Sequence, residues 1–73
     1  MKADELRKKV TAVKRLFSFF ENVVITTHFH NCGTKARVTT NNAEIVEALS
    51  RQGVTGTQTK TDDIFIIEIK LES

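Results

Sequence analysis

Between Ile64 and Glu72 the chain alternates strictly. Phe65, Ile67, Ile69 and Leu71 fall at every second position, separated by Ile66, Glu68 and Lys70 and followed by Glu72. An extended chain points successive side chains to opposite sides, so this stretch predicts a strand whose large apolar face has to be covered. A lone strand cannot bury such a row. The rest of the chain must supply neighbouring strands and a layer above them.

The neighbouring strands can be read from the same period. Val23 to Phe29 predicts a strand with Val23, Ile25, Thr27 and Phe29 facing one way and Val24, Thr26 and His28 the other. His30-Asn31-Cys32-Gly33 carries turn chemistry. Thr34 to Thr40 returns as a strand, with Ala36 and Val38 inward and Lys35, Arg37 and Thr39 outward. Val54 to Thr61 is a weaker, threonine-rich strand containing Gly56, and Asp62-Asp63 suits the turn into the last strand.

The covering layer is helical. Residues 3 to 21 place Leu6, Val10, Val13, Phe17 and Phe20 on one stripe, flanked by Ala3 and Leu16, with Arg7, Lys8, Lys14 and Arg15 opposite. Asp4 and Glu5 in the first turn suit the helix dipole, and Asn22 is a stop signal. Phe19 falls off the stripe. A second helix starts where Asn41 and Glu44 have the spacing of a capping box, and shows Ile45, Val46, Ala48 and Leu49 on one side. Gly53 fits its C′ position, with Val54 as the apolar residue that follows.

The order is therefore α-β-β-α-β-β, a loose αββ repeat without sequence identity between its halves. The economical fold is an α+β two-layer sandwich: a four-stranded antiparallel sheet with both helices on one face. Residues 1–73 suffice for one small domain with a modest core, to which self-association would add stability.

Composition narrows the function classes. A net charge of +2 permits nucleic-acid binding without demanding it. One cysteine excludes an internal disulfide and suits a reducing, cytoplasmic setting. Charges recur through residue 15, so neither a signal peptide nor a membrane span is expected.

His28, His30 and Cys32 are spaced H-x-H-x-C, and imidazole and thiolate are good zinc or copper ligands. A fourth group is missing, so neither metal nor cofactor is expected. No phosphate-loop, dinucleotide-binding or hydrolase motif occurs, and Asp62-Asp63 reads as a solvated turn, so the chain is expected not to be an enzyme. The stronger signal is the outward sheet face. His28, Lys35, Arg37 and Lys60 are the expected phosphate contacts on a threonine-rich surface, with Lys70 a further outward cation of the second hairpin. That face lacks aromatics for base stacking, which disfavours an RNA-recognition-motif mode. Val24, Ile64 and Ile66, with Phe19, are apolar side chains left outside; a homodimer through the sheet faces or the edge of the last strand would cover them.

The segment Leu49-Ser50-Arg51-Gln52-Gly53-Val54 and the strand-turn-strand after it resemble the helix-plus-hairpin unit of small ribosomal RNA-binding domains and of winged-helix proteins. The resemblance covers under half of the chain and assigns no residue a role. The expectation is a small nucleic-acid-binding protein, for RNA or DNA. The alternative is a protein-interaction module, such as a compact inhibitor or adaptor of viral or mobile-element type, working through a flat surface.

Overall fold

The computed structural model describes residues 1–72. Six elements follow in order: α1 (Ala3–Leu16), β1 (Ile25–Phe29), β2 (Lys35–Thr40), α2 (Ala43–Arg51), β3 (Thr57–Thr61) and β4 (Ile64–Lys70). The strands form one antiparallel sheet in the order β1-β2-β4-β3. The α+β sandwich expected from the sequence is the observed architecture.

Each hairpin contributes its second strand to the centre and its first to an edge. The two αββ halves are thus arranged about an approximate two-fold axis between β2 and β4, close to the pair Val38–Ile67. The expected dimer contact through the edge of the last strand is not available. β4 is hydrogen-bonded on both sides, so the last strand has no free edge through which a second copy could pair.

The core lies between the sheet and the two helices. Leu6, Val10 and Val13 of α1 and Ile45 and Leu49 of α2 pack with Ile25, Ala36, Val38, Ile67 and Ile69 from the strands and with Val54 and Leu71 beside them. These are the inward positions of the sequence alternation, so both helices cover the same face. Among the described residues no layer covers the opposite face of the sheet.

Helix α1 stops at Leu16 rather than running to residue 21. Its last carbonyls are used early: the Phe17 N–H donates to Val13 and Lys14, and the Ser18 hydroxyl donates to the Arg15 carbonyl at 2.9 Å. Such local bonding by serine competes with helix continuation. Phe17 stays half-buried, whereas Phe20, assigned to the core stripe by its spacing, stands in solvent.

The cap of α2 is Asn42, not Asn41: its side-chain oxygen accepts from the Glu44 N–H at 2.8 Å. Asn41 has another task. Its amide donates to the Asn22 carbonyl at 2.6 Å, and its oxygen accepts from the Val24 N–H at 2.9 Å. It thereby clamps the approach to β1 against the end of β2. At the other end of α2, Gly53 has φ 83°, and the N–H groups of Gly53 and Val54 donate to Ser50 and Leu49. This is a Schellman stop, and it buries Val54. Lys9 adds a tie between the helices, donating to the Gln52 carbonyl at 2.6 Å, where a cation suits the helix C-terminus.

Candidate functional site

The uncovered sheet face is built in rows by the strand register. His28, Arg37, Glu68 and Thr57 form one row across the four strands. One step toward the His30–Thr34 turn, Lys35 of β2 stands directly opposite Lys70 of β4. His30 sits beside them, its N–H donating to the Lys35 carbonyl at 3.0 Å. One step the other way lie Thr26, Thr39, Ile66 and Thr59.

The face therefore has two ends of different chemistry. His28, His30, Lys35, Arg37 and Lys70 gather at one end, beside Glu68. His30 Nε2 lies 3.8 Å from a Glu68 oxygen, too far for a good hydrogen bond, and this buried nitrogen has no hydrogen-bond partner among the described residues. The His28 and His30 rings meet edge-on with centroids 5.4 Å apart. A shallow cavity of about 370 Å³ opens here, lined by His30, Lys35, Thr57, Glu68, Ile69 and Lys70. Toward the other end the surface turns to threonine and isoleucine.

Three of the four residues singled out from the sequence, His28, Lys35 and Arg37, come together on this face. Lys60 does not. It pairs with Phe65, an inward position, and its ammonium lies 5.4 Å from the Phe65 ring centroid. Lys60 thus belongs to the helix side of the sheet. The reason is parity: a shift of one residue carries a side chain to the other face. In β3 the outward positions are Thr57, Thr59 and Thr61. His30 and Glu68 join the site without having been singled out as phosphate contacts. The parity of His30 with His28 was a legible sign, whereas the place of Glu68 depends on strand order.

Cys32 is exposed in the turn, with its sulfur 3.0 Å from the Thr34 hydroxyl. Hydrogen bonding from the Thr34 side chain, then from its backbone, holds the thiol below its ordinary value, and the nearby Lys35 charge adds to this. Among the described residues no group of three or more His, Cys, Asp or Glu side chains comes together as a metal site.

The cations of α1 are partly committed elsewhere. Arg7 hydrogen-bonds Asp4 at 3.0 Å and lies 4.4 Å above the Phe29 ring. With Lys9 engaged at the end of α2, the helix offers phosphate a thinner stripe than its sequence suggests.

The chain matches no family model, no curated protein and no solved structure. Among the described residues no helix is long and apolar enough to cross a membrane.

Proposed function

We propose that this is a small non-enzymatic protein that binds the phosphate backbone of RNA or DNA on its uncovered sheet face. One observation carries the reading: Lys35 and Lys70 face each other directly, with His28, His30 and Arg37 around them and Glu68 as the one carboxylate in the row beside them. Like charges directly opposite in a sheet are destabilising. An anion between them removes that repulsion, so the arrangement favours phosphate over an empty site. Hydroxyls of Thr26, Thr39, Thr57 and Thr59 on the same face are suited to donate to phosphate oxygens.

The contacts are of the kind that position a strand and do not read its sequence. Arg37, Lys35 and Lys70 supply permanent charge, and His28 adds a donor. Lys60, on the opposite side of the sheet, is left out of the contact set. The second reading, a protein-interaction module, draws support from Ile64 and Ile66, which share this face with the cations.

The test is a titration with mixed-sequence single- and double-stranded oligonucleotides at low and moderate salt. Three to four phosphate contacts give a slope of log affinity against log salt of about −3 on duplex, from about −0.9 per contact. Lys35→Ala should weaken binding and flatten that slope. No binding at low salt ends the nucleic-acid reading and leaves the protein-interaction one.

A further inference from the structure

The large apolar side chains that stand open to solvent gather at one end of the sandwich, the end away from Lys35 and Lys70. They are Leu16 at 64%, Phe19 at 93%, Phe20 at 56%, Val24 at 47% and Ile64 at 37% exposure. The topology brings them together. The last turn of α1 leads through residues 17–24 into β1, and Ile25 pairs with Thr40, which pairs with Phe65. Ile64 lies one step beyond that row on the uncovered face, opposite Thr61, and Val24 directly precedes β1. Phe20 borders a groove of about 400 Å³ shared with Phe17, Val23, Val24 and Ile45. On its other side a second groove runs along Leu16 and Ala48 toward Glu44 and Glu47.

We propose that this end is the interface of a symmetric homodimer. The charge around the apolar centre favours a second copy of the chain as its occupant. Lys14 and Arg15 flank it on the α1 side, while Glu44 starts α2 and Asp62 and Asp63 form the turn beside Ile64. Among the described residues none of these five takes part in an ion pair. A two-fold axis through the patch sets the basic flank of each copy against the acidic flank of the other, as an isologous interface requires. An anionic lipid surface or nucleic acid would meet Glu44, Asp62 and Asp63 as like charges.

The area is sufficient for an interface centre. With a phenylalanine worth roughly 200 Å², these five side chains offer on the order of 500 Å² of apolar surface. A standard interface buries about 800 Å² per partner, so the charged flanks complete it as a polar rim. The cationic end of each sheet faces away from this contact and stays free in both copies.

Light scattering and sedimentation of the intact chain across a wide concentration range test the interface. The expected result is a reversible dimer. Phe19 is too exposed to matter to the fold, so Phe19→Asp should leave the circular dichroism unchanged and weaken dimerisation by about thirty-fold or more, as for a buried aromatic anchor. Reversing both cations, K14E with R15E, should also weaken self-association. Mixing that variant with one carrying D62K and D63K should restore a heterodimer. A wild-type chain that stays monomeric at the highest concentrations overturns the proposal. So does a dimer indifferent to Phe19→Asp, or a monomer that sediments instead with anionic vesicles. None of these readouts depends on nucleic-acid binding.

Discussion

Lys35 and Lys70 occupy directly opposed positions on β2 and β4, on the side of the sheet that no helix covers. Neither ammonium makes an ion pair among the described residues, and the nearest carboxylate row holds only Glu68. Folding holds the two charges near each other, whereas an unfolded chain separates them. An anion brought to the site reverses the sign of that term.

Substitution should therefore separate stability from binding. Lys70→Thr removes the repulsion and places a strand-favouring residue in a central strand, so the free protein should gain a few tenths to about 1 kcal/mol. The same change should weaken oligonucleotide binding at low salt. Urea denaturation and a binding titration on one preparation check both signs. A variant that loses stability and binding together would contradict the repulsion account.

Asn41 should matter more than its exposed neighbours. It holds Asn22 and Val24 at once, and an alanine there leaves a carbonyl and an N–H to find water. The expected cost is about 1–2 kcal/mol, read as a lowered denaturation midpoint. Asn42→Ala should cost about 1 kcal/mol by a different route, the loss of the α2 cap. Amide exchange distinguishes them: Asn41→Ala loosens the start of β1, whereas Asn42→Ala loosens the first turn of α2.

The Cys32 thiol should react as a more acidic thiol than a free one. Once the sulfur is a thiolate it can only accept from the Thr34 hydroxyl, which stabilises it, so the pH midpoint of alkylation by iodoacetamide should lie below that of a free cysteine. Thr34→Val should move the midpoint up. The folded-state value is depressed, so the thiolate's contribution to stability is present above the unfolded-chain value and is lost as pH falls through the folded one. The group is fully exposed, which makes the reaction rate the readout.

The sequence made the fold legible wherever apolar residues marked a face. Phe65, Ile67, Ile69 and Leu71 fixed the parity of β4, and Leu6, Val10 and Val13 fixed the buried stripe of α1. Gly53 marked the end of α2 because its left-handed conformation is one that glycine favours. The end of α1 was less legible. Phe17 and Phe20 continue the helical spacing, and the signal against it is a single serine hydroxyl. The face of Lys60 could not be read at all, since Thr57-Gln58-Thr59-Lys60-Thr61 has no apolar residue to anchor its parity. His28, Lys35 and Arg37 could be grouped because β1 and β2 are both anchored by apolar residues on the other side. Placing Glu68 and Lys70 beside them required the order of the strands, which local alternation does not encode.

Strand β3 buries none of its side chains, and its backbone ladder to β4 holds it in place. That makes the residue just before it unusually sensitive. A Cβ added to Gly56 would overlap the Glu68 carbonyl oxygen and stand 3.3 Å from the Ile69 Cα. Both obstacles are backbone of a central strand packed on the core, so the edge strand has to move. Gly56→Ala should cost about 2 kcal/mol or more, whereas Thr55→Ala next to it should stay within about 0.5 kcal/mol. The loss should be local first: β3 amide protons should lose exchange protection while those of β2 keep theirs. Thr57 would leave its place opposite Glu68, so the cavity beside His30 and Lys70 should open and oligonucleotide affinity should fall with it. A Gly56→Ala chain with full β3 protection would mean that β4 can yield at Glu68, and that the sheet is less rigid at the site than this packing requires.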